Sequence, residues 1–483
     1  MVTKRDFRRI DACLWELPAD YDPRMRVPAR LIADERLLEA ALADEAIRQL
    51  INVAMLPGIV GQALAMPDIH QGYGFPIGGV AAFRLEGGIV SPGGVGYDIN
   101  CGVRLLAGAM DAEALRPHLD ELATALYANC PSGLGKKGLH PLSYRALNAV
   151  LEEGAEWALR HGLAERDDLL RTESGGRLPG ARADAVPDRA KERGRPQLGS
   201  LGAGNHFLEV DVVERLFDAE VAGRFGLREG GVAVQIHCGS RGLGHEVCAQ
   251  FIRRLQGLPQ RYGFSIPDRE LIAAPIESPE GRDYLAAMAA AANYAFANRQ
   301  VLAHCVRRTF EQVLAGKVRR WELHQVYDVA HNIAKVERHT VGGRTMEVIV
   351  HRKGATRAFP PGHPDLPEAY RATGQPVLVP GSMGTASWVL VGTPRAMEVS
   401  FGSSCHGAGR TMSRRKAKRR MRGEQVRQAL RREGIVVRAG SMRGLAEEAP
   451  AAYKAVDEVV EAVVRAGIAR KVARLRPLAV IKG

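Results

Sequence analysis

The sequence predicts one large α+β domain. Helical periodicity and strand alternation interleave along the 483 residues instead of falling into separate blocks. Residues with catalytic chemistry are spread from the first quarter of the chain to its last residues. No internal repeat or low-complexity linker divides it. A single body, 1–483, with a site assembled from many strand ends accounts for all three observations.

Residues 36–50 read as a helix, and so do 144–161, where Leu147, Val150 and Leu151 begin an apolar face. The segment 171–197 is rich in Gly, Pro and charge and reads as a long loop. Val232, Val234 and Ile236 alternate with Ala233, Gln235 and His237, so His237 points away from the apolar side of a strand. Residues 283–314 give the strongest helix pattern, with Leu285, Met288, Ala292, Ala295, Leu302, Cys305, Val306, Phe310 and Val313 at three- and four-residue steps. Residues 346–351, 375–379, 387–391 and 397–401 read as strands. Residues 413–433 read as an Arg- and Lys-covered helix that Gly434 ends, and 445–466 as a final helix.

Hydrophobic content of 46% and charged content of 25% are ordinary for a folded soluble protein and exclude disorder as the dominant state. A net charge of +13 favours a polyanionic partner, the alternative being a solvated basic surface. The seven cysteines form no C-x-x-C pair, which excludes a disulfide framework and a structural zinc finger and fits a reducing compartment. The first residues are too charged for a signal peptide, and the most apolar stretch, 284–296, is too short to span a bilayer. The expectation is a cytoplasmic protein with no membrane partner.

Cys101 closes the stretch Ser91-Pro-Gly-Gly-Val-Gly-Tyr-Asp-Ile-Asn-Cys-Gly-Val-Arg104, with Asp98 three residues before it. Histidines recur in polar or glycine-rich settings in Gly204-Asn-His-Phe-Leu-Glu209, Ile236-His-Cys-Gly-Ser-Arg-Gly242 and Ala330-His-Asn-Ile-Ala-Lys335. Asp98, Cys101, His206, His237 and His331 make a mixed O, S and N ligand set that suits Zn, Fe, Co or Mn. Five ligands with one bridging thiolate suffice for two divalent ions, an arrangement suited to phosphoryl transfer. Taken singly, each of these residues is ordinary: a lone His or Cys is usually a packed or surface residue.

His406 lies in Ser403-Ser-Cys-His-Gly-Ala-Gly-Arg410, where small neighbours let a bulky group approach the ring, as a nucleophile forming a phosphoramidate requires. The bland alternative is a tight turn with a polar His. Pro380-Gly-Ser-Met-Gly-Thr-Ala-Ser387 is a second glycine-rich turn, without the spacing of a P-loop or a dinucleotide fingerprint. Arg241, Arg410 and Arg414, with the basic run through Arg422, begin at these motifs and suggest a track for phosphates. The residue chemistry therefore gives a metal-assisted phosphoryl-transfer site with a His nucleophile. It leaves open GTP or ATP, ligation or hydrolysis, and RNA or another phosphate ester.

Together these motifs resemble the RtcB family of RNA-splicing ligases over nearly the whole chain. The likeness extends to Leu198–Val210, His351-Arg-Lys-Gly-Ala-Thr-Arg357, Glu447-Glu-Ala-Pro-Ala-Ala-Tyr-Lys454 and Lys482-Gly483. It implies a domain with a β-sandwich-like sheet core surrounded by helices. It also implies joining of RNA 3′-phosphate or 2′,3′-cyclic phosphate ends to 5′-hydroxyl ends with GTP and two Mn²⁺ ions, in tRNA splicing or RNA repair. His406 would carry GMP. Cys101 would bridge the ions, with Asp98 and His206 completing one set of ligands and His237 and His331 the other. The guanylate would be surrounded by Asn205, His206, Phe207, Leu208, Glu209, His331, Asn332, Pro380, Gly381, Ser382, Met383, Ser387, Gly407, Ala408, Gly409, Tyr453 and Lys482. Arg241, Arg410 and Arg414 would meet substrate phosphate. Some members of the family work with a small activating protein, archease. The competing readings are a metal-dependent phosphoesterase, a non-catalytic RNA-binding module and a repair enzyme that guanylylates DNA 3′-phosphate ends.

Overall fold

Two large, mostly antiparallel sheets organise the chain, which a computed structural model describes from residue 2 to residue 483. One is a seven-stranded sheet built on the hairpin-like pair Ile59–His70 and Ile77–Arg84, extended by Arg344–Lys353 and Asn332–Val341 on one side and by three N-terminal strands on the other. The other, eight-stranded, runs in spatial order through Leu323–Ala330, Gly102–Asp111, Gly231–Cys238, Phe207–Leu216, Ala469–Lys482, Ser387–Gly392 and Pro376–Val379, with Val436–Ala439 paired to Ala469–Lys482 from outside that path. Its two end strands approach each other, so the sheet curls nearly into a barrel.

Strand alternation sorts the cores. In Gly102–Asp111, Val103, Leu105 and Ala107 face the barrel interior with Val213, Ala233, Val329, Val389 and Leu475, while Leu106 faces the helices outside. The same alternation puts Val348 and Val350 of the seven-stranded sheet against Val377, Leu390 and Ala469 of the other, while Ile349 turns to the helical side. This face-to-face packing of two sheets, with helices on the outer surfaces, is the expected sandwich-like core.

The long helix predicted at 283–314 spans Pro279–Leu314. Ser278 caps it, its hydroxyl accepting the Gly281 N–H at 3.0 Å, and Pro279 fits the first turn, where no intrahelical donor is needed. Its first half, through Tyr284, Ala287 and Met288, packs in the core behind the seven-stranded sheet. Its second half, through Leu302, Val306 and Phe310, packs on the barrel. One rigid rod thus braces both sheets.

The strands expected at 232–237, 346–351, 375–379 and 387–391 form. The strand expected at 397–401 does not: Pro394–Ser400 is a helix, begun by proline in its first turn and ended by Phe401 at φ +51°, with Ala396, Val399 and Ser400 on the buried side. Most expected helices are interrupted. Residues 36–50 divide into Glu35–Leu42 and Ala46–Ala54. Residues 144–161 break at Gly154 (φ +59°), where a side chain would strike the Gly176 carbonyl oxygen at 2.3 Å. Residues 413–433 divide into Arg414–Arg420 and Gly423–Arg432, and 445–466 into Met442–Glu447 and Val456–Arg465 around Pro450. The segment 171–197 holds the helix Asp188–Gly194 and short turns in place of a continuous loop. Among the described residues no helix is long and apolar enough to cross a membrane.

Candidate active site

Five adjacent strands of the barrel-like sheet expose one common rim, and that rim carries the chemistry. His331 follows Leu323–Ala330, Cys101 precedes Gly102–Asp111, His237 lies near the end of Gly231–Cys238, His206 precedes Phe207–Leu216, and Lys482 ends Ala469–Lys482. Register keeps them level: Gly102 pairs with both Ala330 and Cys238, and His237 pairs with both Val103 and Phe207. Lys482 pairs with Phe207.

The loop that carries Asp98 and Cys101 is fixed from behind. Asn100 takes a left-handed conformation (φ +52°), which asparagine tolerates better than most residues, and its side-chain amide donates to the Ala292 carbonyl at 2.7 Å. Arg299 donates to the Asn100 carbonyl at 2.7 Å and to the Cys238 carbonyl at 2.9 Å, and is itself held by Asp328. The His331 N–H donates to the Cys101 carbonyl at 2.8 Å. Gly239 leaves room for Asp98: a Cβ there would lie 2.4 Å from its Oδ1.

The five expected ligands converge in two groups that share Cys101. One is Cys101, His237 and His331; the other is Asp98, Cys101 and His206. Cys101 Sγ lies 3.3 Å from His237 Nε2 and 3.4 Å from His206 Nε2. His206 Nε2 is 2.7 Å from Asp98 Oδ2, and His237 Nε2 is 3.3 Å from His331 Nε2. Burial and the neighbouring imidazoles hold His237 and His331 far below the usual histidine range, so both rings are neutral, the form that binds metal. Burial and Asp98 push the Cys101 thiol up to about 12, so it carries charge only with a cation beside it. His206 differs from the other two rings: burial would lower it, but Cys238, Asp98 and Cys101 raise it well above the usual histidine range, so it gives up a proton when it binds a cation. This donor set fits a pair of divalent ions bridged by sulfur.

His406 reaches the site from the other sheet. It follows Ser403–Cys405, which pairs with Ala355–Arg357, and its ring centroid lies 4.9 Å from that of His331. Its Nδ1 is 2.6 Å from Asp68 Oδ2, and the same oxygen accepts the backbone N–H groups of His406 at 3.1 Å and Gly407 at 3.3 Å. Burial would raise the Asp68 carboxyl, but the His406 ring, its backbone N–H and Lys454 hold it below its ordinary value. Lys454 braces the same strand, donating to the carbonyls of Pro67 at 2.9 Å and Ile69 at 2.6 Å. Gly409 (φ +72°) lets its loop lie on this strand: a Cβ would strike the Asp68 carbonyl oxygen at 2.3 Å. A carboxylate on Nδ1 fixes the tautomer that leaves Nε2 with a free lone pair, as the orienting acid of a catalytic triad does. Sequence reading missed Asp68. The only signal was a carboxylate beside a histidine, Pro67-Asp-Ile-His70, after the apolar run 63–66.

All of this opens into one cleft of about 1600 Å³. Asn205, Phe207, Glu209, Asn332, Pro380, Gly381, Ser382, Met383, Gly407, Ala408, Gly409, Tyr453 and Lys482 line it with His206, His331 and His406. Two expected contacts lie behind the wall. Strand alternation turns Leu208 into the core between sheet and helices, and Ser387 accepts the Gly381 N–H at 3.0 Å and so supports the Pro380 turn. Glu209 shares a buried pocket with Asp211, which the sequence reading did not single out; Gln235 donates to Asp211 at 2.7 Å. Burial and Asp211 push the Glu209 carboxyl well above its usual range, and burial raises Asp211 to about 7. Burial lowers the Lys482 ammonium to about 8 against the pull of Glu448.

The three arginines expected to meet phosphate all line the cleft, and each is already engaged. Arg410 pairs with the buried Glu448 at 3.0 Å, and Arg414 lies 3.2 Å from both Glu447 and Glu448. Arg241 donates to Ser200 at 3.2 Å and to the Gly133 carbonyl at 3.3 Å. The acidic pair Glu447 and Glu448 presets the first two.

Comparison with known proteins finds one family. Residues 49–483 match the sequence model of the RtcB family, described as tRNA-splicing ligase RtcB. The chain is 55% identical over 476 residues to the tRNA-splicing ligase RtcB of Thermococcus kodakarensis, covering 99% of this chain and 98% of that one. It is 54% identical to the protein of that name from Archaeoglobus fulgidus, over 99% of this chain and 98% of that one. It is 52% identical to the RNA-splicing ligase RtcB of Mycobacterium tuberculosis, over 90% of this chain and all of that one (100%).

Two outcomes follow from the geometry. Cys101→Ser removes the shared donor, so metal content after gel filtration in Mn²⁺ should fall at both positions, whereas Asp98→Ala should lose chiefly one ion. Equal, small losses in the two variants would contradict a bridging sulfur. Asp68→Asn keeps the shape but not the charge that orients His406. Attack by His406 on an activated phosphate should slow by roughly a hundredfold or more while metal content is unchanged, measured by single-turnover labelling.

Proposed function

This chain belongs to the RtcB family, and from that premise we propose that it is an RNA ligase that seals 3′-phosphate or 2′,3′-cyclic phosphate ends to 5′-hydroxyl ends through a guanylylated His406. The observation that carries the reading is the pairing of His406 with Asp68, one imidazole away from a paired cation site. A hydrolase working through the cation site alone has no use for an oriented histidine nucleophile.

His406 Nε2 attacks the α-phosphorus of GTP, a P–N bond forms and pyrophosphate leaves. Asp68 holds the Nδ1 proton throughout and stabilises the positive charge that develops on the ring. An oxygen of the RNA 3′-phosphate then attacks the same phosphorus and breaks the P–N bond, giving an RNA end joined to GMP through a diphosphate. The 5′-hydroxyl attacks the RNA-side phosphorus, forms the phosphodiester and expels GMP. A cyclic phosphate end is opened by water to a 3′-phosphate beforehand. Asp98, Cys101, His206, His237 and His331 would hold the cations, which would supply charge neutralisation at the phosphate oxygens. Phe207 offers its ring to the guanine region, and Lys482 lies over that ring, 5.7 Å from its centroid. Manganese as the metal, GTP as the donor, tRNA halves or broken RNA as substrates, archease as an activating partner and a cytoplasmic location all belong to this proposal.

The test is ligation of a defined RNA pair with each 3′-end chemistry, with and without GTP and Mn²⁺, alongside mass spectrometry of the protein. A GMP adduct on wild type that is absent from His406→Ala, together with GTP-dependent sealing, is expected. Sealing without an adduct, or release of phosphate in place of sealing, overturns the reading.

Lys482→Ala should raise the GTP concentration needed for adduct formation about ten- to a hundredfold, the worth of a charge-assisted hydrogen bond, with little change in melting temperature. In wild type, the apparent GTP affinity should weaken as pH rises through about 8, where the ammonium of the free enzyme loses its proton. That step should be missing from the variant.

A further inference from the structure

Six residues that line the cleft take part in none of the chemistry above: Tyr73, Tyr97, Lys353, Gln197, Arg193 and His245. Tyr97 immediately precedes the ligand Asp98. The three rings form a continuous ladder: Tyr73 and Tyr97 meet edge to face at 5.6 Å, and Tyr97 and His245 lie 5.9 Å apart with their planes only 30° from parallel. Tyr73 and Tyr97 are half-buried and His245 is exposed to the cleft. Both ends of the ladder are fixed. Lys353 donates to the Tyr73 carbonyl at 2.6 Å and to that of Phe75 at 3.1 Å. His245 lies on the helix Arg241–Arg254, whose first turn is pinned by Gln197 accepting the Gly242 N–H at 2.9 Å. Arg193, half exposed, closes the outer side, tethered to Glu246 at 3.0 Å.

Resting on the ligase reading, we propose that the Tyr97–His245 pair is a stacking seat for the terminal nucleobase of the strand that brings the 5′-hydroxyl. Aromatic faces beside guanidinium groups are the common way to hold a single-stranded nucleotide without reading its sequence. The choice of strand comes from the reaction. In the sealing step GMP leaves from one side of the RNA-side phosphorus, so the hydroxyl must attack from the other, in line. His406, which carries the guanylate, lies beside His331, in one ligand group of the cation site. The aromatic rings adjoin Asp98, in the other ligand group, and end at His245 on the Arg241 helix. A base stacked on Tyr97 places its 5′-carbon next to the Asp98 side of the cation pair, where the hydroxyl has to arrive. Arg193, half exposed on the same cleft wall, offers a guanidinium to the following phosphate of that strand.

The test isolates the sealing step. Wild type, His245→Ala, Tyr97→Ala and Tyr97→Phe are given an RNA already carrying the diphosphate-linked guanosine at its 3′-end, and the 5′-hydroxyl strand is titrated. The KM for that strand should rise about tenfold in His245→Ala and in Tyr97→Ala, the worth of one stacked base, and return to near wild type in Tyr97→Phe. Removing the terminal base of the 5′-hydroxyl strand should impose a similar penalty on wild type and little further penalty on the two alanine variants. GMP-adduct formation and transfer of GMP to the 3′-phosphate should proceed at wild-type rates in His245→Ala. Metal content is measured in every variant, so that a disturbed Asp98 is recognised and His245→Ala then decides alone. A KM unchanged in His245→Ala, an abasic penalty that persists undiminished in that variant, or a defect confined to the 3′-phosphate strand overturns the seat. If wild type itself neither forms the adduct nor seals, the ligase reading fails instead.

Discussion

The buried ion pair between Arg299 and Asp328 is the constraint on which the site depends. Both side chains are inaccessible to solvent, and Asp328 also binds Arg104 at 2.8 Å. Burial would strip the proton from Arg299, but Asp328 keeps it charged, and the charged group then anchors two carbonyls, those of Asn100 and Cys238. The first belongs to the residue before the shared sulfur ligand and the second to the residue after His237. One guanidinium thereby sets the distance between two strand ends that must present Cys101 and His237 to the same point. Breaking such a pair by removing one partner costs about 3–5 kcal/mol, because the other charge is left buried. The helix Pro279–Leu314 that carries Arg299 braces both sheets, so the geometry is tied to the longest helix among the described residues.

The two halves of the chemistry come from different sheets. The barrel-like sheet supplies the cation ligands and Lys482 from consecutive strand ends. The seven-stranded sheet supplies Asp68, and the small ladder between Ala355–Arg357 and Ser403–Cys405 delivers His406. Each group is a rim or edge feature, where backbone groups lie close enough to accept or donate to a ligand without breaking a ladder. The site sits at the seam, and its precision depends on how the sheets pack. That packing is achieved by alternating Val and Leu side chains that leave no freedom to slide by one residue without exposing a hydrophobic face.

The ligand set was legible because its chemistry is unusual in sequence: a thiol, a carboxylate and three histidines, all in short polar or glycine-rich motifs, have few structural explanations when taken together. The strand containing His237 was legible because alternation in 232–237 is strict. Asp68 was not, since a single acid at the end of an apolar strand looks like any strand terminus until folding brings residue 406 to it. Asp211 was hidden for a related reason: it alternates with Glu209 among Leu208, Val210 and Val212, and only burial of both carboxyls reveals the pair. The helix break at Gly154 was missed because the apolar face of Leu147 and Leu151 continues across it through Ala155 and Ala158. At 397–401 periodicity misled outright, because so short a run cannot distinguish alternation from a single helical turn, and Pro394 was the better guide.

Lys482 illustrates why position in a fold outweighs position in a chain. Terminal residues are usually frayed, and deletion of the last three would ordinarily be harmless. Here residues 469–482 form a strand in the middle of the barrel-like sheet, flanked by Phe207–Leu216 and Ser387–Gly392 and bonded along part of its length to Val436–Ala439 as well. Ile481 pairs with Leu208 and with Arg438, and Lys482 with Phe207 and Ala439. Deleting these residues would leave unpaired donors and acceptors on two neighbouring strands and expose the core around Leu208, so lost activity could not be separated from lost stability. Shortening the Lys482 side chain instead keeps every ladder hydrogen bond, because those are made by the backbone. What it removes is one ammonium, held at 3% exposure between Glu448, Glu209 and the Phe207 ring. A group buried at that cost and lowered to about 8 still carries its proton at neutral pH, so the cleft keeps one positive charge on its wall.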